Sequence, residues 1–369
     1  MLGFPKLRKI TAGLTFSVAA LAAVAHVPQA LAETKLVYAG YITRSAVATT
    51  LDEWFMDQVE QRSNGRITFE RYYSGALMKA RDLFPGLTNG AVDIATGAPM
   101  AYNPQSYPLS NIMMPYITDK ADAATKAIIE LYGSNEEIKQ EYERQGIKML
   151  WSLAFPDGAI WSNRPIHEPE DLQGVRIRAV SGIGWAMEKL GASPVPMSFT
   201  EAVEALNRGA VDAVTNAPFD SGVNVGLPKV AKYATDAGRL GINGISVTGI
   251  NKARFEGLPE EDQAVILQVA AEVPGQFAKV VNAAIEKAAR RMVEQGGDIQ
   301  VSVSTDAQAA KWKAAVADTL RGRYIESVSR VTKNGGAIYD QFVALVRKHE
   351  PDSTYTPGLE AYLKAAGKQ

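Results

Sequence analysis

The chain contains no cysteine, which removes disulfides, thiolate catalysis and cysteine-ligated metal sites at once. Of its three histidines only His167 and His349 lie beyond the N-terminal segment, and neither has a metal-ligand or triad spacing around it. There is no G-x-S-x-G elbow, no H-E-x-x-H and no P-loop, and Gly182-Ile183-Gly184 lacks the third glycine of a dinucleotide fingerprint. Hydrolase and oxidoreductase machinery is therefore missing, which points away from an enzyme; a carboxylate pair stays open, because 40 acidic residues always offer pairs. No metal or cofactor is called for. An excess of basic charge is also lacking: the formal net charge is -1, which argues against nucleic acid as a partner.

Long hydrophobic runs are missing except near the start. Lys6, Arg8 and Lys9 precede an uncharged, largely apolar run from Ile10 to Ala25, and Ala30-Leu31-Ala32 supplies small residues before Glu33. This reads as a secretory signal peptide over residues 1–32. The run of about 16 residues falls short of the roughly 20 that span a bilayer. The mature chain is expected to be exported, without a membrane anchor. Its 36 Lys and Arg would face 40 Asp and Glu, and its length suffices for a core without covalent staples.

What the chain does have is a repeat. Gly90-Ala91-Val92-Asp93-Ile94-Ala95-Thr96-Gly97-Ala98-Pro99 returns as Gly209-Ala210-Val211-Asp212-Ala213-Val214-Thr215-Asn216-Ala217-Pro218, with seven of ten positions identical. Each copy follows a short amphipathic stretch, so each predicts a helix end, a glycine at positive φ and a buried strand. The repeat fits either a duplicated α/β unit or a junction that α/β proteins reuse. Two similar lobes would leave a cleft between them, where pockets form preferentially.

Strand and helix patterns alternate along the rest. Strands are expected at Lys35–Gly40, Ile67–Tyr73, Val92–Thr96 and Ile147–Trp151, with helices between them, including a long one from Ala121 to Gln145. This order implies a largely parallel sheet covered by helices. A second α/β block starts near Phe155, with a strand at Val175–Val180 and a capping box at Ser198-Phe199-Thr200-Glu201. Ile245–Ile250 is apolar enough for a central strand returning to the first lobe. Pro259 to Gln295 reads as helix for nearly forty residues, interrupted at Pro274-Gly275. The tail from Asp306 to Lys364 is mostly helical, broken at Gly335-Gly336.

Pro165–Arg178, Leu190–Met197 and Glu201–Pro218, with Gly65-Arg66-Ile67, Gly75-Ala76-Leu77, Val230–Tyr233 and Phe255–Pro259, occur in an order and spacing that resembles the DctP family, the solute-binding subunits of TRAP transporters. The resemblance implies a two-lobed periplasmic binding protein of type II-like architecture, each lobe a mixed, mainly parallel sheet flanked by helices, with a long helix bracing both. It implies lobe I over 33–155 plus about 242–285, and lobe II over 156–241 plus about 286–369. The partners it implies are a small carboxylate ligand and the small and large membrane subunits of a TRAP permease driven by an ion gradient.

In that family the arginine of a K-I-R motif pairs with the ligand carboxylate, and Arg178 stands at that position. A planar guanidinium suits two carboxylate oxygens. Arg176, two residues earlier, shares its strand face by alternation, and the residues alone do not choose between them. Asn216 stands where the family uses an asparagine, an amide that can both donate and accept. Gly158 falls where sialic acid binders of the family carry a second arginine, so that clamp is missing. The loop Tyr41-Ile42-Thr43-Arg44, at the carboxyl end of the first strand, offers Arg44 as a replacement from the other lobe, with Tyr41 as a further ligand-binding candidate. Trp185, Phe219 and Trp161 either wall the cleft or belong to the core; a wall would favour an apolar or aromatic monocarboxylate over a small dicarboxylate. A binding protein for an ABC importer, a solute sensor or a secreted enzyme of the same fold are the competing classes.

Overall fold

The computed structural model describes residues 1–3, 34–295 and 298–368, and the expected signal peptide lies outside them except for its first three residues. The chain divides into Met1–Ala32 and Glu33–Gln369, and every element below belongs to the second unit.

Eleven strands are formed among the described residues: β1 (Thr34–Gly40), β2 (Ile67–Tyr72), β3 (Ile94–Gly97), β4 (Ile147–Ala154), β5 (Gly158–Ser162), β6 (Arg176–Arg178), β7 (Ser193–Val195), β8 (Ala213–Pro218), β9 (Tyr233–Thr235), β10 (Ile245–Asn251) and β11 (Gln300–Ser302). They make two sheets, ordered β2-β1-β3-β10-β4 and β11-β9-β5-β8-β6-β7. Within the sheets β2-β1-β3, β8-β6-β7 and β11-β9 are parallel, while β10 and β5 run antiparallel to both their neighbours. Helices flank both sheets, giving the two α/β lobes expected from the alternating pattern.

The repeat builds the same junction twice. Gly90 and Gly209 take φ of 77° and 70° just after the helices Leu83–Thr88 and Phe199–Asn207, a conformation that costs glycine little. Asp93 then accepts the Val37 amide of β1 at 2.8 Å, and Asp212 accepts the Arg176 amide of β6 at 3.0 Å. In each copy the aspartate locks β3 or β8 to its parallel neighbour. The repeat's Ala-Pro closes β8 but follows the end of β3, and a short helix comes next in each copy: Pro99–Tyr102 and Phe219–Asn224.

The chain passes between the sheets at residues 155–157 and again at 236–244. The two crossings are tied to each other, because Phe155 donates its amide to Gly244 O at 3.0 Å and Gly158 to Gly241 O at 3.2 Å. Helix Glu260–Gln295 buries Ile266, Val269, Val273, Phe277, Val281, Ile285 and Met292 along one stripe. This stripe packs on helices Val47–Arg62 and Ala121–Ser134 beside the first sheet, and on Phe219–Asn224 and Leu227–Val230 beside the second. Pro274 does not interrupt it. An interior proline forfeits one hydrogen bond, and the apolar stripe continues on both sides of it.

Two further boundaries differ from expectation. The helix expected over Ala121–Gln145 is two helices, Ala121–Ser134 and Glu136–Glu143, because Asn135 is extended and its side chain accepts the Ile138 amide as an N-cap. Gly335 begins a helix rather than breaking one. The Ser198 capping box forms as expected, with the Glu201 carboxylate accepting the Ser198 amide at 2.9 Å.

Candidate functional site

The carboxyl ends of parallel strands are where backbone groups and loops converge in α/β folds, and those of β1, β3, β6 and β8 meet at one cavity between the two sheets. Its volume is about 780 Å³, counting the part open to solvent. The walls are mostly apolar, from Ile42, Val47, Met100, Met113, Phe155 and Ile245, with Tyr41, Tyr102 and Phe199 as further aromatic surfaces. Tyr41 and Tyr102 meet edge to face with ring centroids 5.4 Å apart.

Arg178 is the one cationic side chain among the described lining residues, and it is 1% exposed. It ends β6, which lies between β7 and β8 in the second sheet. Its side chain therefore reaches forward to carbonyls on both sides, one just past β7 and one in β8: Nε and Nη2 donate to Met197 O at 3.1 and 3.0 Å, and Nη1 to Thr215 O at 3.0 Å. The guanidinium plane is thus set by the sheet before any ligand arrives. Burial pushes the Tyr41 hydroxyl well above the ordinary tyrosine range, with Tyr102 adding to the shift and Arg178 opposing it. Tyr41 therefore meets a ligand as a neutral hydroxyl, a donor and acceptor in one group.

Asp220 is the one carboxylate among the described lining residues. It accepts the Val47 amide at 3.3 Å, a bond that crosses between the lobes to the start of helix Val47–Arg62. Burial pushes its carboxyl up to about 6. Ser181 and Asn111 make a second hydrogen bond across the cavity wall. Among the described residues no cluster of three His, Asp or Glu is placed to hold a metal ion.

The strand alternation left Arg176 and Arg178 unresolved, and the structure separates them. Arg176 is exposed and forks onto Asp212 through Nε and Nη2 at 3.0 and 2.7 Å, which holds Asp212 below the usual carboxylate range. Tyr41 lines the cavity with Arg178. Asn216 lies in β8, and its side chain is outside the described residues.

The other expected site residues are not among the cavity lining. Arg44 reaches away to Glu53 Oε2 at 2.5 Å and lies over the Tyr73 ring, 69% of its side chain exposed. Trp161 and Phe219 are fully buried and stacked on each other 6.3 Å apart, so both are core of the second lobe. Their apolar faces are consumed by that stack, which is why neither walls the cavity. Trp185 is half-buried against the core on helix Ser181–Lys189. Gly158 has no room for a side chain: a Cβ would sit 2.9 Å from Asn243 Nδ2 and 3.3 Å from Ala217 O.

Tyr102, Phe199, Asn111, Ser181, Asn243 and Asp220 were not foreseen. For two of them the repeat carried the signal. Continued past its tenth position it runs Met100-Ala101-Tyr102 in one copy and Phe219-Asp220-Ser221 in the other, and all of these except the core residue Phe219 line the cavity.

Three comparisons bear on this geometry. The profile of the family described as bacterial extracellular solute-binding protein, family 7 (DctP), matches residues 43–327. A solute-binding protein of Albidiferax ferrireducens is 29% identical over 223 residues, 59% of this chain and 64% of the relative, so the chain spans just under two thirds of that relative's length. Among solved structures, a TRAP solute-binding protein from Rhodoferax ferrireducens in complex with copurified benzoate superposes with a TM-score of 0.74 at 20% identity, covering 86% of this chain and 99% of that one. A marine metagenome TRAP solute-binding protein specific for aromatic acid ligands, in complex with metahydroxyphenylacetate, gives 0.77 at 21% identity, covering 86% and 100%.

Proposed function

Because the chain belongs to the DctP family of bacterial extracellular solute-binding proteins, we propose that it captures an organic acid between its lobes in the periplasm and delivers it to a TRAP-type secondary transporter. The ligand is a monocarboxylate of apolar or aromatic character. The observation that carries this reading is Arg178, a fixed and buried guanidinium at the end of a cavity whose other walls are apolar or aromatic. A carboxylate meeting it in that water-poor setting gains charge-assisted hydrogen bonds stronger than those at a surface. Aromatic surfaces such as Tyr41, Tyr102, Phe155 and Phe199 favour an apolar body behind the carboxylate. A small dicarboxylate would carry a second charge toward a wall with no second cation among its described residues.

Lobe I comprises residues 33–155 plus about 242–285, and lobe II 156–241 plus about 286–369. The ligand docks on one lobe, closure about the paired crossings near Phe155 and Gly241 brings up the other, and contacts from both stabilise the closed state by differential affinity. The partners are the small and large membrane subunits of the permease, which would read the outer faces of the closed protein. Residues 1–32 act as the export signal and are removed.

A thermal-shift screen tests the reading, with protein unfolded and refolded to strip carried-over ligand. Aromatic monocarboxylates, aliphatic acids, diacids and sugar acids form the panel. Binding to the native state raises the melting temperature by mass action. A rise for aromatic monocarboxylates that disappears in Arg178→Ala is the expected result; no shift with any acid would reject it.

A further inference from the structure

The buried carboxylates of this protein differ in how well they are served. Asp52 accepts the Tyr38 hydroxyl at 2.6 Å and the Thr96 and Thr248 hydroxyls at 2.9 and 3.1 Å. Glu141 accepts the Leu109 amide at 2.6 Å and the amide and hydroxyl of Ser110 at 3.0 and 2.6 Å. Asp157 accepts the Tyr355 hydroxyl and the Gly358 amide at 3.0 Å. Each of these three is closed off by short donors from the protein itself. None of the three lines the interlobe cavity.

Asp220 is as deeply buried, 1% exposed; the Ser221 amide and its own amide also favour its ionised form, but the contacts that reach it across space are long. The Val47 amide stands at 3.3 Å, and the Ser221 hydroxyl at 3.5 Å from both oxygens, the outer limit for such contacts. An ionised carboxylate can accept about four hydrogen bonds, and short ones are what offset its removal from water. Asp220 also faces the cavity that holds Arg178. A simple monocarboxylate there would leave two negative charges in a cavity whose described lining holds one guanidinium, with no ligand donor on Asp220.

We propose that Asp220 is a specificity-determining residue that accepts a hydrogen bond from a hydroxyl or ammonium group of the bound acid. This rests on the carboxylate reading of Arg178. The preferred ligand is then bifunctional: its carboxylate meets Arg178 and its donor group ends on Asp220. The Asp220 position is supplied by the short helix after β8, so one lobe presents both groups, and the Val47 amide of the other lobe reaches Asp220 in this structure.

Calorimetric titration of the refolded protein separates the possibilities. The probes are phenylacetate, which has no donor beyond the acid, its hydroxylated analogues (mandelate and the three ring-hydroxylated phenylacetates), and two ammonium acids, phenylglycine and 4-(aminomethyl)benzoate. At least one donor-bearing acid should bind wild-type protein roughly tenfold or more tightly than phenylacetate, as a hydrogen bond to a charged group predicts. In Asp220→Asn that preference should fall to within about threefold, while phenylacetate binds as well as before or better. Whether the hydroxyl or the ammonium series carries the preference identifies the donor. Equal binding of all probes by the wild type overturns the proposal without any variant, and so does a preference that survives Asp220→Asn in folded protein. If those acids still lose binding in Arg178→Ala, only the Asp220 inference fails; if no acid binds, or Arg178→Ala binds as well as wild type, the carboxylate reading fails with it.

Discussion

Arg176 and Arg178 lie two residues apart on one three-residue strand, yet one is spread on the surface over Asp212 and the other is buried with its guanidinium on Met197 and Thr215. The difference arises from where β6 ends. Arg176 enters the strand at the junction made by the second Gly-Ala-Val-Asp copy, whose aspartate is there to meet it. Arg178 leaves the strand at the cavity, where the segment after β7 and β8 itself offer carbonyls on either side.

Replacing these two residues should therefore separate binding from folding. Arg178→Lys keeps the charge but loses the planar fork, and carboxylate affinity should fall by about 1.5 to 3 kcal/mol, measured by calorimetric titration. The ligand-free protein should also melt lower, because the Met197 and Thr215 carbonyls lose donors. Arg176→Lys should leave affinity unchanged and alter stability little, as expected of an exposed pair screened by solvent. Equal loss of affinity in both variants would contradict the assignment of the buried arginine.

Arg44 gives the complementary test. Its guanidinium lies on Glu53 at the surface, so Arg44→Ala should change the affinity for mono- and dicarboxylates alike by less than about 0.5 kcal/mol. A selective loss of dicarboxylate binding would mean that the loop 41–44 swings inward when ligand is bound.

Periodicity and punctuation made much of this architecture legible in advance. Gly209, the Ser198 capping box and the apolar run Ile245–Ile250 each mark a local backbone requirement, and each is met where the pattern places it. Arg178 stood out through its place in a motif, and it lines the cavity. The aromatic wall was not: Trp161 and Phe219 have the right composition, but a sequence does not say which neighbour consumes a ring's face, and here they consume each other. Asp220 was hidden for a similar reason. An aspartate beside a buried phenylalanine looks like a surface helix start until the opposite lobe covers it.

Gly158 shows that a missing arginine can have a packing cause. Because a Cβ there would lie 2.9 Å from the Asn243 amide, Gly158→Ala should push Asn243 from its place in the cavity wall. A cost of about 1 to 3 kcal/mol in stability is expected for such overpacking, read by denaturant unfolding, together with weaker ligand binding. An unchanged variant would mean that Asn243 has space to turn aside.

The buried acids set the pH dependence of stability, and their sign is opposite to that of an ion-paired carboxylate. Burial pushes Asp52, Glu141 and Asp157 up to about 7, and Asp220 to about 6, whereas in the unfolded chain such groups titrate near 4. Between about pH 4 and 7 the folded protein thus holds more protons than the unfolded one. The contribution of these groups is present in full below about pH 4, declines as pH rises from there, and is gone once pH has passed through the folded values of 6 to 7. Surface carboxylates act the other way: Glu70 beside Lys35, Glu272 beside Arg62 and Asp340 beside Arg321 are held below their ordinary values, so their contribution is lost as pH falls below about 4. Stability should peak between the two ranges, with a higher melting temperature at pH 5.5 than at pH 8. Asp52→Asn removes one titrating group while leaving the Tyr38, Thr96 and Thr248 hydroxyls beside a side chain of the same shape, so the fall from pH 5.5 to 8 should shrink in that variant. A scanning-calorimetry series showing the melting temperature flat or rising over that range would mean that these carboxyls are ionised in the folded protein at no cost.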